Sequence, residues 1–210
     1  MNKKYTSPEE TLTEIRLLME RSSRFISLSG FSGVFAGIYA LLGAGAAWYF
    51  LKSIRNAETR YASEPGMNDY DLLIFLSVDA ALVLILAVGT GILLTTRKAK
   101  KDGNSLLDAA AKKLIVNLAI PLVTGGIFCL ALVYHGNTFY VAPAMLVFYG
   151  LALVHASKYT RDDVRSLGMA EIALGSLSLF MVGYGLLFWA LGFGVLHIAY
   201  GTYMYFKYEK

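Results

Sequence analysis

The sequence predicts an all-α, polytopic integral membrane protein: six transmembrane helices arranged as three helical hairpins, preceded by an amphipathic helix. Composition is the first observation behind this. Of the 210 residues, 56% are hydrophobic and only 16% charged, against about a quarter charged in soluble domains, and the mean hydropathy is +0.53. The second is segmentation. Six stretches are long and apolar enough to cross a hydrocarbon core about 30 Å thick, which takes about 20 helical residues each. The third is charge placement. The net charge of +4 comes from basic residues gathered at the ends of apolar stretches, as topology signals do, and no basic groove or recognition motif points to nucleic acid.

Residues 1–24 form the predicted cytoplasmic amphipathic segment. In SPEETLTEIRLLMERSSRF, Ser7 can cap a helix, Pro8 suits its first position and Glu10 completes a capping box. Leu12, Ile15, Met19, Ser22 and Ile26 give it an apolar stripe, suited to the membrane surface, to the cytoplasmic ends of the bundle or to a protein partner. The amino terminus is polar and the first apolar segment is too long for a signal peptide's core, so that segment is expected to stay in the mature protein.

The transmembrane domain spans 25–206, with crossings near 25–51, 72–95, 114–134, 138–156, 168–187 and 190–206, and 207–210 form a cytoplasmic tail. The very short connections YHGNT and FWALG make helical hairpins of the last four spans. The long exterior loop 52–70 turns at Pro65-Gly66, and a short helix, SLLDAAAKK, leads from the turn Asp102-Gly103-Asn104 into span three. All but three of the 19 lysines and arginines fall on the side of the termini; Lys52, Arg55 and Arg60 are the exceptions. The positive-inside rule therefore places both termini in the cytoplasm and the protein in the cell membrane.

Small residues predict how the spans pack. Gly33, Gly37, Ala40 and Gly43 belong to one arc of span one, together with Ser29, Ser32, Ala36, Ala44 and Ala47. Lipid gives little hydrophobic drive between helices, so close backbone approach along such a face holds them together. The face serves a central helix or a subunit interface, making a homo-oligomer one open possibility. On span six, Ala190, Gly194, His197 and Gly201 recur at helical spacing, which turns His197 toward protein. In span three Pro121 removes a backbone donor and frees the Asn117 carbonyl, so a bend is expected there, with Thr124 or Asn117 available to satisfy it.

Ionisable residues inside spans are costly and are the candidate ligand- or proton-binding sites. Asp79 and His197 each lie about 10 Å below the outer end of their spans, so a contact between them is expected if spans two and six are neighbours. Glu171 lies about one turn from the cytoplasmic boundary, where the helix dipole and water favour its charge. His135 and His155 fall at opposite ends of their spans, and neither HxxxH nor HExxH spacing occurs, so no metal site and no cofactor are predicted. Cys129 lies alone in an apolar run and reads as a small buried hydrophobe.

Gly30-Phe31-Ser32-Gly33 matches the GxSG serine motif of rhomboid intramembrane proteases, but here the serine sits on the first span. Spans two, four and six end alike in VGTGILLTTRK, YGLALVHASKY and YGTYMYFKY, each following a glycine-rich span, as three two-helix repeats would. With the pattern GMAEIALG…AYG, this architecture resembles the acid-resistance membrane proteins of the HdeD type. The resemblance implies a six-helix fold and a role in stress, and brings no catalytic motif. Packing signals abound and chemical ones are sparse, so the expected function is a non-enzymatic structural or stress-associated membrane protein. The alternative is a small proton-coupled transporter or ligand-binding protein using Asp79 and His197; an intramembrane serine hydrolase comes third.

Overall fold

The computed structural model describes residues 29–60, 69–101 and 109–210. The amphipathic segment 1–24 and the turns at Pro65-Gly66 and Asp102-Gly103-Asn104 lie outside the described residues. Among those described there is no strand. The chain forms α1 (Gly30–Arg60), α2 (Asp69–Lys101), α3 (Ala109–Tyr134), α4 (Val141–Ala156), α5 (Asp163–Phe180) and α6 (Gly185–Tyr208). Short 3-10 turns, Thr138–Tyr140 and Ser157–Tyr159, flank α4, and a π-helical stretch, Ala190–Leu196, interrupts α6.

Five of these helices are long and apolar enough to cross a membrane. The exception is α5, which has 18 residues and carries Asp163, Arg165 and Glu171. The structure thus moves several predicted boundaries. Helix α1 runs on through Arg60, so half of the expected exterior loop is helical. Most consequentially, FWALG is no turn. The chain reverses earlier, at 181–184, where Gly183 adopts φ +94°, and FWALG lies inside α6. Without a Cβ, glycine takes this left-handed backbone cheaply, and Val182-Gly183 was the overlooked signal.

YHGNT does turn the chain. Gly136, at φ +72°, follows α3; its N–H bonds the Val133 carbonyl at 3.0 Å and that of Asn137 bonds the Leu132 carbonyl at 2.8 Å. Paired bonds of this kind close a helix C-terminus around a left-handed glycine.

The helices pack in two groups. Helix α1 lies between α2 and α6, while α4 lies between α3 and α5. Accordingly α5 packs chiefly along α4, although a tight turn joins it to α6. Glycines set both close crossings. A Cβ on Gly37 would lie 2.6 Å from the Gly194 carbonyl, and one on Gly201 would lie 2.6 Å from the Val34 nitrogen. Between α4 and α5, a Cβ on Gly150 would lie 2.6 Å from the Gly168 carbonyl. These backbones touch because nothing projects between them.

The α1 face divides along its length: Gly33 and Gly37 meet α6, Ala40 is buried, and Gly43 meets α2. Pro121 sits within α3. Thr124 donates to the Ile120 carbonyl and Asn117 to that of Lys113, so these bonds serve carbonyls other than the one proline frees.

One end of the bundle gathers basic residues and the carboxylates that meet them. Lys98 pairs with Glu209 at 2.9 Å, and Glu209 also accepts the Gly30 N–H that opens α1. Lys207 and Tyr208 both reach Asp163, and the Arg161 guanidinium stacks 3.5 Å above the Tyr208 ring. Burial alone would push the Asp163 carboxyl up, but hydrogen bonds from Tyr208 and Lys207 outweigh it and hold the group below the usual carboxylate range.

Candidate functional site

The buried polar centre forms where α4, α5 and α6 meet. Glycines make room for it. On α5, Glu171 lies between Gly168 and Gly175, whose bare faces bring α4 against α5. On α6, a Cβ at Gly192 would collide with the Glu171 carboxylate, so this glycine is the space the carboxylate occupies. The side chain of Glu171 is 0% exposed, and His197 is 6% exposed.

Three side chains converge there. His197 Nδ1 lies 3.4 Å from Glu171 Oε1 and 3.0 Å from the Gly192 carbonyl oxygen. On the other edge of the ring, Nε2 lies 2.7 Å from the Tyr149 hydroxyl of α4. A carbonyl can only accept, so Nδ1 carries the hydrogen; in the neutral imidazole Nε2 then accepts the tyrosine proton. The π-helical stretch sets this geometry, because Gly192 and His197 are five residues apart. Such wide turns aim backbone groups that an α-helix would keep occupied, and they are frequent at functional sites. Phe193 covers the centre, its ring 5.0 Å from that of Tyr149 and 5.9 Å from that of His197.

Neither Glu171 oxygen makes a hydrogen bond among the described residues. A buried carboxylate is expensive without compensation, so two charge states suit this core. Either Glu171 is protonated beside a neutral imidazole, or carboxylate and imidazolium form an ion pair. Both hold a single proton to be shared between the two groups.

Glu171 is therefore not the water-reachable acid near a helix end that its position suggested. Helix α5 begins at Asp163, which sets Glu171 eight residues in, about 12 Å at 1.5 Å per residue. Nor does His197 meet Asp79. Helix α1 stands between α2 and α6, and the Asp79 carboxylate lies against α1, 3.2 Å from where a Gly43 Cβ would be.

The serine and histidine of the rhomboid-like motif are likewise engaged separately: the Ser32 hydroxyl donates to the Ser29 carbonyl at 2.5 Å, while the His197 ring faces Tyr149 and Gly192. Cys129 is half-buried, and no group of three metal-ligating side chains occurs among the described residues. Sequence reasoning missed Tyr149 and Gly192. No family model, curated protein or solved structure matches this chain.

Proposed function

We propose that this chain is a non-enzymatic, proton-binding protein of the cytoplasmic membrane, crossing it six times with both termini in the cytoplasm. The observation that carries the reading is the buried Glu171–His197 pair, 3.4 Å apart, with Tyr149 on the far nitrogen. Intramembrane ionisable residues are costly to keep and commonly mark ion or proton sites. Histidine and a buried carboxyl are groups whose charge can change near neutral pH. Helix α5 supplies the sixth crossing: its three charged residues comprise two at its basic end and Glu171, whose charge the histidine compensates. The intramolecular engagement of Ser32 supports a non-enzymatic role. The pair replaces Asp79–His197 as the proton site, and membrane acid stress, which the HdeD-type resemblance implies, is the setting in which such a site would respond.

The test uses the full chain in lipid nanodiscs, following hydrogen exchange of α6 as pH falls from about 8 to about 5, the window in which histidine charge changes. Protection across the π-helical stretch, after correction for the intrinsic pH dependence of amide exchange, is expected to change in the wild type. Glu171→Gln and Tyr149→Phe, if still folded, should lose or displace that response. Wild-type protection indifferent to pH, or a response unchanged in both variants, overturns the reading.

A further inference from the structure

At the end of the bundle opposite the basic cluster, a groove of about 570 Å³ opens between α1 and the first turns of α6. Leu41, Ala44 and Leu51 of α1 form one wall, and Leu187 and Ala190 of α6 belong to the other. Its depth comes from small residues: Gly45 lines it, and a Cβ there would have nothing within 4 Å. Among the described residues Lys52 is the only charged one in its lining, with its ammonium 5.0 Å from the centre of the Trp48 ring. From Leu41 to Lys52 the helix rises about 16 Å, at 1.5 Å per residue.

We propose that this groove holds one anionic phospholipid of the surrounding bilayer, its acyl chain along the leucine walls and its phosphate at Lys52. Charge and shape together select this occupant. A soluble anion would gain nothing from a long apolar trough, and an uncharged chain would bring no anion to Lys52. Trp48 and Lys52 stand at the end of a 25-residue apolar stretch, Gly30–Ile54, where the aromatic ring suits the headgroup level and the lysine stem can extend toward it. A zwitterionic headgroup carries its own cation, which leaves Lys52 less to gain. A single interfacial lysine favours anionic lipid by about fivefold. This inference is independent of the proton site.

The chain has two tryptophans, so Trp189→Phe leaves Trp48 as sole reporter within the groove. The full chain with that change is placed in phosphatidylcholine vesicles containing a minor fraction of phosphatidylglycerol, with bromine carried on the acyl chains of one lipid or the other. Brominated phosphatidylglycerol is expected to quench Trp48 about fivefold more strongly per molecule than brominated phosphatidylcholine. Lys52→Gln should equalise the two. Gly45→Phe, whose added side chain enters open space, should weaken quenching by phosphatidylglycerol without lowering the thermal midpoint. Equal quenching by both lipids in the parent means ordinary annular contact and overturns the proposal. So does a preference that survives Lys52→Gln, or a Trp48 that neither lipid quenches because a second copy of the chain covers it.

Discussion

Glu171 and His197 tolerate one proton between them and resist having none or two. With none, a lone carboxylate is buried; with two, a lone imidazolium. Either unbalanced state disfavours the folded bundle, so stability should be bell-shaped in pH, each limb limited to about 1.4 kcal/mol per pH unit for one proton. Thermal unfolding across pH should therefore find the alkaline limb missing in Glu171→Gln, which cannot become an anion, and the acid limb missing in His197→Gln. Identical profiles in wild type and variants would sink the shared-proton picture. Tyr149→Phe removes the donor to Nε2 and should cost about 1–3 kcal/mol, read as a lowered midpoint near neutral pH. At the basic end, the folded Asp163 carboxyl titrates lower than it would unfolded. Its contribution is present above the unfolded value and is lost as pH falls through the folded one. The pair with Lys207 is partly exposed, so Asp163→Asn should cost under about 1 kcal/mol at neutral pH and slightly flatten the acid-side loss. The sequence pointed to Glu171 and His197 as costly polar residues, and to their burial in protein for His197 alone. It could not pair them, because depth follows from counting along one helix whereas neighbours across the bundle follow from packing. The π-helical stretch, which decides where the imidazole points, leaves no periodic trace.

Among the helices, glycine has two opposite meanings, and the structure separates them. Gly37 is a contact: its missing side chain is where α6 passes. Gly37→Leu should abolish the folded bundle or cost more than about 3 kcal/mol, as overpacking at its worst does, while Ile38→Leu, half-exposed on the other side, should stay within about 1 kcal/mol. Gly91 on α2 has nothing within 4 Å, so Gly91→Ala should be neutral or stabilising by up to about 1 kcal/mol. Chemical denaturation in mixed micelles ranks all three; a Gly37→Leu protein as stable as Gly91→Ala would contradict the crossing. The small-residue arc of α1 was visible in the sequence because periodicity records which residues share a face. Its division between α6 and α2 was not, since one face can serve two partners at different heights. The α5–α6 turn was misread for a related reason: Gly183 and the aromatic FWALG run are both frequent at span ends, and hydropathy alone cannot choose between reversals seven residues apart.

For the molecule as a whole, the clustering of charge constrains how the bundle lies in a membrane. The start of α1, the ends of α2 and α6, and the start of α5 are joined by Glu209, Lys98, Asp163 and Lys207. On the proposed six-crossing reading, successive helices run up and down from one basic end, and α5 traverses the bundle like the rest even though its charges set it apart in hydropathy. If α5 stopped within one leaflet, α6 would start on the wrong side, and Lys207 would have to lie across the bilayer from Asp163, 2.9 Å away. In that reading the positive-inside rule puts the shared end in the cytoplasm. The single cysteine makes the test direct. In a Cys129→Ala background, Asn137→Cys sits on the α3–α4 turn at the far end, and Lys210→Cys sits beside the basic cluster. An impermeant maleimide added to intact cells should label the first and reach the second only after permeabilisation. Labelling of both from outside would break the six-crossing arrangement, and the reverse pattern would invert it, turning the groove at Lys52 toward the cytoplasmic leaflet while leaving the Glu171–His197 pair buried as before.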